Sequence, residues 1–440
     1  MSFTSFLLKV RSNFMYLPTL YGGIAFILAL LSSKAESTLL KSESVYQLLP
    51  GAFLSDISLA RTILSTISAS LLTITTITFS TILVVLTTYL SNFSPRTLQN
   101  FITNHSTQRV LGVFVGGFVY SIVLLLLLED NGPNTLYIVP SFAILFSIIC
   151  LFVFVFFIHH VTTWIQVSNL IYNITQSTTA RIEEYLEDRK SIHEDPPWDD
   201  WESEEIKHIS PQKFFTTKTG YIQYIDIPGM VEQASKDDCI LRIERNINDY
   251  VDEETPILSV WPSSNSKFEG NYDRFITVGT KQAPFHNIEF GMIKIVEIAV
   301  RALSPGINDP NTAINCIDNL GRILIKLTKK HLQKSYFNDQ NRNLRVIFEQ
   351  PTFSDYLYKS FSQIRQYGGQ DITILKAIIR TLTVVAESSA STRKSIWEFS
   401  NYVIEGIHKD NLLSLDRKYL NRELKRLAVI TEHSKDFKPL

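Results

Sequence analysis

Hydroxyl side chains recur along a hydrophobic run at residues 62–90, where their spacing suits contact with an ion or a polar solute inside a membrane. At about 100° per residue, six of them fall on one broad helical face: Ser65, Thr66, Thr73, Thr76, Ser80 and Thr87. A hydroxyl oxygen can replace part of an ion's hydration shell without fixing a charge in the membrane. We therefore predict that this face lines a pore. The alternative is that these hydroxyls bond to their own helix or support close helix packing in lipid.

A polar segment, RALSPGINDPNTA, separates two helical patterns in the carboxyl-terminal half. Pro305 and Gly306 end the first pattern, while Asp309 and Pro310 supply an N-cap carboxylate and a first-turn proline to the second. The polar groups exceed what capping requires, so we predict a rigid corner or a subunit contact in which Asp309 touches a neighbouring subunit. A small-molecule site is the alternative. The predicted residues are Ser304, Pro305, Gly306, Asn308, Asp309, Pro310, Asn311 and Thr312.

Patterns for catalysis, metal binding and cofactor binding are lacking in the sequence. No Walker loop, HExxH motif, Rossmann fingerprint or nucleophile beside a base occurs, so we expect no enzyme activity and no cofactor. Cys150, Cys239 and Cys316 are too far apart for a zinc site or a disulfide framework. The acids near His193 are interpreted as a solvated linker rather than as metal ligands. A formal net charge of -1 argues against a nucleic-acid partner.

Four hydrophobic runs approach or exceed the length that an α-helix needs to cross a bilayer: 14–33, 62–90, 110–128 and 136–166. We interpret the first run as a retained helix rather than a signal peptide, because three more runs follow. No ionisable side chain lies centrally in any run, which argues against proton-coupled transport and favours a passive conduit. Four spans enclose little space, so such a conduit would form between the subunits of a symmetric homo-oligomer.

Basic residues in the flanks of these runs predict the orientation of the chain. Lys9 and Arg11 precede the first run, and Arg96 and Arg109 lie between the second and the third. Because short cytoplasmic segments carry an excess of Lys and Arg, we predict a multi-pass protein of the cell inner membrane. Its amino terminus and its long carboxyl-terminal region would both be cytoplasmic.

Small and titratable residues in the third and fourth runs allow two further expectations. Gly112, Gly116 and Gly117 permit close helix approach, either between subunits or within one chain. His159 and His160 end the fourth run and are interpreted as structural rather than as a pH sensor or a metal site, since no acidic residue is their neighbour in sequence.

The pattern changes after residue 166 from lipid-like to amphipathic and then to mixed. The predicted fold class is an α-helical integral membrane domain of four transmembrane helices followed by a soluble α+β cytoplasmic region. The predicted domains are the membrane domain over 1–166, a stalk and acidic linker over 167–212, a small β module over 213–280, and a helical cytoplasmic domain containing the corner over 281–440. The β module resembles the barrel-sandwich architecture of biotinyl and lipoyl domains. Four later patterns predict a helical bundle: 353–366, 371–388, 391–408 and 411–434.

Several separated segments recur together in one known family. They are ARTILSTISAS, SPRTLQNFITNHSTQRVLGVFVGGFVYS, GYIQYID and ALSPGINDPNTA. On these segments the chain resembles the uncharacterised bacterial membrane-protein family known as domain of unknown function 2254. The resemblance implies a multi-span amino-terminal half and a soluble carboxyl-terminal half, and it supplies no function. One departure is GTKQAPFHNIEFG, where Gln282, Ala283, His286 and Asn287 stand in place of the family's Arg-Thr and Gln-Asp pairs.

These patterns favour one functional hypothesis and leave a second open. The first is a homo-oligomeric, passive channel for ions or small solutes, with the β and helical modules forming a cytoplasmic vestibule or gate. The alternative is a membrane-anchored scaffold or sensor whose soluble half binds a protein partner. In both hypotheses the lipid bilayer is a partner of the amino-terminal half.

Overall fold

The computed structural model describes a large part of the chain: residues 15–39, 50–92, 105–130, 132, 135–164, 166–186, 210–262, 272–280, 288–330, 332 and 336–440. These residues form two compact units, 1–170 and 171–440. Three features predicted from the sequence lie outside the described residues. They are the acidic part of the linker at 187–209, the basic flank residues Lys9, Arg11 and Arg96, and the family-departing segment at 282–287.

Among the described residues, four long helices belong to the first unit: α1 (Tyr16–Leu39), α2 (Ile57–Asn92), α3 (His105–Leu127) and α4 (Val139–Trp164). Each contains an apolar stretch of 22 to 32 residues, which is long enough to cross a membrane. The four predicted runs therefore correspond to four helices, and the prediction of four apolar helices is confirmed. Helix α2 extends beyond its predicted run at both ends.

Helix α3 packs against α1, α2 and α4, and its glycines make this packing possible. A β-carbon at Gly112 would lie 3.1 Å from the ring of Tyr21, and one at Gly116 would lie 3.4 Å from the Tyr21 carbonyl oxygen. A β-carbon at Gly117 would lie 3.0 Å from Leu71 and from Phe146. All three glycines thus serve packing within one chain, which was one of the two roles predicted for them.

A carboxylate fixes the start of α4. The Oε1 atom of Glu36, near the end of α1, accepts hydrogen bonds from the backbone N–H groups of Ile138 (2.7 Å) and Val139 (2.9 Å). The first N–H groups of a helix have no partner inside the helix, and the helix dipole favours a negative charge there. Glu36 thereby ties α1 to α4 at one end of the bundle.

The described residues of the second unit form two β-sheets. The strands are β1 (Gln212–Phe215), β2 (Gly220–Ile225), β3 (Cys239–Ile243), β4 (Tyr250–Val251), β5 (Pro256–Pro262), β6 (Ile276–Gly279), β7 (Tyr336–Asn338) and β8 (Leu344–Phe348). One sheet has the order β1-β5-β3-β8-β7 and the other the order β4-β2-β6. The β3–β8 pair is parallel and the remaining pairs are antiparallel.

This arrangement does not confirm the barrel-sandwich prediction. Strands β7 and β8 come from the region predicted to be helical, yet they complete the larger sheet. The sequence of β8, LRVIF, is a short apolar run that is buried along its whole length. Because apolar and polar residues do not alternate in such a run, its pattern does not distinguish a buried strand from a buried helical turn.

The other long elements described after residue 166 are helices: α5 (Val167–Tyr185), α6 (Ile227–Lys236), α7 (Ile288–Ala302), α8 (Pro310–Thr328), α9 (Phe353–Gly368), α10 (Ile372–Ser388), α11 (Arg393–Glu405) and α12 (Ser414–Ile430). The last four correspond to the four predicted helical patterns. Helix α7 packs on α8 and α9, α8 packs on α10, and α10 packs on α12. Side-chain caps begin several of these helices, including a capping box between Thr352 and Asp355 at α9.

Candidate functional site

One side of α2 carries all six residues predicted to line a pore. In the single chain these six side chains are exposed. The opposite side of α2 is buried through Leu64, Leu71, Thr78 and Val85, which recur every seven residues. Because α2 packs on α3 and α4 through that buried side, the hydroxyl side faces away from the bundle. We call this outward surface, from Ser65 to Thr87, the hydroxyl face.

The hydroxyl face is long enough to follow a bilayer. From Ser65 to Thr87 the helix rises about 33 Å at roughly 1.5 Å per residue, which matches a hydrocarbon core of about 30 Å. The same line continues toward the helix start through Ser58 and Thr62, which are also exposed. Large apolar side chains border the line, and Leu83 and Val84 interrupt it near one end.

Five of the six hydroxyls on this face, those of Ser65, Thr66, Thr73, Thr76 and Thr87, donate a hydrogen bond within their own helix. Thr66 Oγ1 donates to the carbonyl of Thr62 (2.7 Å), Thr73 Oγ1 to Ala69 (2.9 Å) and Thr76 Oγ1 to Leu72 (2.9 Å). Thr87 repeats the pattern with Leu83 at 2.8 Å. This back-bonding was the alternative to a pore lining, yet the two are compatible. A hydroxyl that donates inward still has oxygen lone pairs that accept hydrogen bonds or contact a cation.

Hydroxyls on the buried side of α2 behave differently. Ser68 and Thr78 are buried, and their Oγ atoms have no hydrogen-bond partner among the described residues. A buried hydroxyl without a partner costs free energy, so these two residues contribute through shape rather than polarity. Position on the helix, rather than residue type, therefore separates the hydroxyl face from the other hydroxyls of α2.

The corner between α7 and α8 is built as a cap. Asp309 is the N-cap of α8, where its Oδ1 accepts from the backbone N–H of Thr312 (3.1 Å) and its Oδ2 from the Thr312 hydroxyl (2.6 Å). Pro310 occupies the first turn of α8. Asn308 adopts a left-handed backbone conformation with φ of 48°, which turns the chain into the helix. Both carboxylate oxygens of Asp309 are thus engaged by the start of its own helix.

The tip of this corner faces solvent in the single chain. Pro305, Gly306, Asn308 and Asn311 are exposed, and Ile307 is 42% exposed. At the base of the corner the hydroxyl of Ser304 donates to the carbonyl of Arg301 (2.7 Å), as part of the turn that follows α7. The eight predicted corner residues are therefore close together, with Asp309 and Thr312 turned inward and the tip turned outward.

Sequence reasoning missed a buried ion pair in the larger sheet. The Nε of Arg345 lies 2.8 Å from Asp339 and its Nη1 lies 2.9 Å from Asp238, so Arg345 joins the β7–β8 turn to the turn before β3. Arg345, helped by backbone N–H groups of the turn, lowers the pKa of Asp339 below its ordinary value of 3.8. That carboxylate stabilises the fold above pH 3.8, and the contribution is lost as the pH falls through the lower folded value.

A buried lysine in α7 was also missed. Lys294 is 7% exposed and its ammonium lies 4.6 Å from the ring centroid of Phe290, one helical turn earlier. Burial, with a smaller effect of the Arg181 charge, lowers the pKa of Lys294 to about 8. The stability of the fold should therefore rise with pH between about 8 and 10.5, because the unfolded chain holds this proton longer. The signal in the sequence was a lone lysine on the apolar stripe of IEFGMIKIVEIAV.

Among the described residues, no group of three or more His, Cys, Asp or Glu side chains is placed to hold a metal ion. Cys150, Cys239 and Cys316 are buried free thiols. The ring of His160 stacks on that of Phe156 with centroids 5.7 Å apart. The acids and histidine of the linker, at 193–200, lie outside the described residues.

Four apolar helices followed by a mixed region of helices and sheets define a membrane protein by length and composition. The chain belongs to the family described as "Predicted membrane protein (DUF2254)", whose model matches residues 11–384. Similar proteins are uncharacterised proteins of Mycobacterium bovis and of two strains of Mycobacterium tuberculosis. Each is 26% identical over 350 residues, which cover 77% of this chain; the chain spans 66% of the length of each relative. No solved structure matches.

Proposed function

We propose that this protein forms a passive conduit for ions or small solutes between copies of the chain, with the hydroxyl face of α2 as its wall. The observation that carries the proposal is the outward position of Ser65, Thr73, Thr76 and their neighbours on an otherwise apolar, membrane-length helix. Within a membrane, contact with water or with another protein surface stabilises a face of this kind more than contact with acyl chains does.

A conduit between copies requires that the face be presented outside the single bundle. The buried side of α2 meets α3 and α4, so the hydroxyl face is available to a second copy. When several copies of the chain are arranged about a symmetry axis, their hydroxyl faces together enclose a path, and no other residues are needed for its wall. The proposal thus includes a closed homo-oligomer in the cell inner membrane, with the second unit on the cytoplasmic side as a vestibule or gate.

The wall carries acceptor oxygens and no ionisable side chain between Ser65 and Thr87. Proton-coupled transport uses ionisable groups within the membrane, and their lack along this face supports passive flow. Hydroxyl oxygens contact a partly hydrated cation or a polar solute without holding it tightly, which suits conduction.

Current through a planar bilayer tests the proposal. The purified protein is recorded under asymmetric salt beside Thr76→Leu and Ser80→Leu, which replace hydroxyls of the wall by larger apolar groups. The matched control is Val155→Leu, at a 62% exposed position on α4. We expect discrete steps that both α2 variants reduce and the control leaves unchanged. Folded, inserted protein that gives steps insensitive to Thr76→Leu and Ser80→Leu would contradict the wall assignment.

The alternative function, a membrane-anchored scaffold or sensor, is favoured by the exposed tip of the corner. Ile307 presents an apolar side chain beside Pro305 and Asn308, which suits contact with a protein surface. Substitution of Ile307 by Asp separates the two functions. It should abolish partner binding in a scaffold and leave the current of a conduit intact.

A further inference from the structure

Helix α12 has an outward face that carries positive charge. Its buried side consists of Leu420, Leu424, Leu427 and Ala428. The opposite side carries four cations: Lys418, Arg422, Lys425 and Arg426, all exposed. The acids of this helix lie on its flank, where they are partly buried, so none is on the outward line.

Helix α10 packs beside α12 and extends its positively charged surface. The Nζ of Lys376 lies 5.1 Å from the ring centroid of Tyr419, and the guanidinium of Arg422 lies 4.9 Å from the same ring. Two carboxylates face the cations, since Glu387 pairs with Arg426 at 3.0 Å and Glu423 lies 3.6 Å from Arg422. With Lys376 included, five cations face two carboxylates. The surface is therefore positively charged overall.

Apolar side chains share the same outward face. Leu415 is 60% exposed, Val429 is 57% exposed, and Tyr419 lies between them along the helix. Single exposed aliphatic groups are common on solvated helices, but here two of them stand on the same face as four cations. A helix that lies on a bilayer surface uses both kinds of side chain, because cations meet anionic headgroups while aliphatic and aromatic groups enter the boundary of the acyl region.

We propose that the outward face of α12, with Lys376 of α10, binds the anionic headgroups of a bilayer surface. Charge complementarity and the interleaved apolar side chains select this occupant. A nucleic acid or an acidic protein segment would satisfy the cations and leave Leu415 and Val429 without a role. Because the chain also carries four membrane-length helices, a bilayer is present at high effective concentration. The α12 part of this face lies beyond residues 11–384 that the family model matches, whereas Lys376 lies within them.

An environment-sensitive fluorophore on the full chain tests this assignment. Val429→Cys supplies the attachment point, because the three native thiols are buried. The labelled chain is placed in nanodiscs of phosphatidylcholine, with and without phosphatidylglycerol. The phosphatidylcholine nanodiscs are also titrated with vesicles that contain phosphatidylglycerol. We expect brighter, blue-shifted emission wherever the anionic lipid is present, in either format, with reversal by salt.

Charge variants identify the residues responsible. The triple variant Lys418→Gln, Arg422→Gln, Lys425→Gln should weaken vesicle binding on the order of a hundredfold, at about fivefold per cation. The matched triple Lys213→Gln, Lys218→Gln, Lys394→Gln removes the same charge from other exposed positions and should change binding less than twofold. Equal thermal midpoints of the two triples would show that the fold is retained.

Four outcomes would overturn the proposal. Emission that stays unchanged with anionic lipid in both formats would show that the face does not meet the bilayer. An equal shift of the emission in pure phosphatidylcholine would show that the face meets the bilayer through apolar contact alone. A shift in detergent without lipid would assign it to an acidic segment of the chain, or to a second copy if the shift grows with protein concentration. An equal loss of vesicle binding in the two triple variants would show that the net charge of the chain, rather than this face, determines binding.

Discussion

Helices α2 and α4 are both long and apolar enough to cross a membrane, yet their outward faces differ. Between residues 142 and 158 the exposed side chains of α4 are all large and apolar, including Phe142, Leu145, Phe152 and Phe156. On α2 the outward line consists mainly of serine and threonine. Average hydropathy predicts that a helix enters lipid, whereas the composition of its outward face predicts what the helix meets there. The face of α4 suits acyl chains, and that of α2 suits water or a second protein surface.

The outward and buried sides of α2 differ even where the residue type is the same. Thr76 on the outward side and Thr78 on the buried side have the same chemistry, and they are two residues apart. Thr76 bonds to its own helix and presents its oxygen outward, while Thr78 is enclosed by the bundle without a partner among the described residues. Identical residues thus have different roles on the two sides of α2, and matched substitutions test that difference.

The largest expected effect comes from bulky apolar groups on the hydroxyl face. The double variant Thr73→Phe, Thr76→Phe should reduce conductance by about tenfold or more, because an apolar constriction expels water from the path. Single-channel recording measures the change. The matched variant Val155→Phe adds a phenylalanine to the outward face of α4 and should leave conductance unaltered. A similar loss from Val155→Phe would erase the difference between the two helices.

A smaller effect, on stability, follows from the buried side of α2. Gly117→Leu places side-chain atoms where Leu71 and Phe146 already lie within about 3.0 Å of a β-carbon. Such overpacking should destabilise the bundle by roughly 1–3 kcal/mol. The thermal unfolding midpoint in detergent measures it. Gly23, where a β-carbon has no neighbour within 4 Å, supplies the control through Gly23→Ala. No difference between the two variants would contradict the packing of α3 against α2 and α4.

Loss of the Glu36 contact that anchors α4 should change the free energy of unfolding by less than Gly117→Leu does. Glu36→Ala removes the acceptor for the N–H groups of Ile138 and Val139 and should cost about 1 kcal/mol, as the loss of a helix cap does. Glu36→Gln retains an oxygen acceptor and should cost less. Thermal unfolding in detergent separates the two. Equal costs would mean that the negative charge, rather than the hydrogen bonds, holds the start of α4.

The smallest effect is expected at the buried hydroxyl. Thr78→Val keeps the shape of the side chain and removes an oxygen without a partner, so it should be neutral or stabilising by about 1 kcal/mol. Its conductance should equal that of the unaltered protein. Thr76→Val makes the same chemical change on the outward face and should alter ion selectivity. If Thr78→Val alters selectivity and Thr76→Val does not, the two sides of α2 have been assigned in reverse.

The sequence predicted the features that local chemistry determines. Long apolar runs predicted α1 to α4, and Asp309 followed by Pro310 predicted the start of α8. Features that depend on distant partners were missed. Strand β8 is defined by its parallel pairing with β3, about a hundred residues away, and its five buried residues carry no alternation. Lys294 was missed because a lysine in an apolar stripe gives no information about the ring and the charges that surround it in the fold.

The hydroxyl face itself was predicted only in part. Periodicity placed Ser65, Thr73 and Thr76 on one side of a helix, but it did not say which side packs inward. The buried positions at Leu64, Leu71, Thr78 and Val85 supplied that answer, since they depend on where α3 and α4 lie. The corner behaved in the same way, because capping was readable from residue types while the exposure of Ile307 was not.

Reaction with a charged, water-soluble thiol reagent tests the central claim most directly. Thr76→Cys and Phe152→Cys each place one thiol near the middle of an outward face, on α2 and α4 respectively, while the native thiols are buried. In reconstituted membranes the account predicts rapid reaction at Thr76→Cys and almost none at Phe152→Cys, because only a water-lined wall admits the reagent and supports a thiolate. Equally slow reaction at both positions would contradict it.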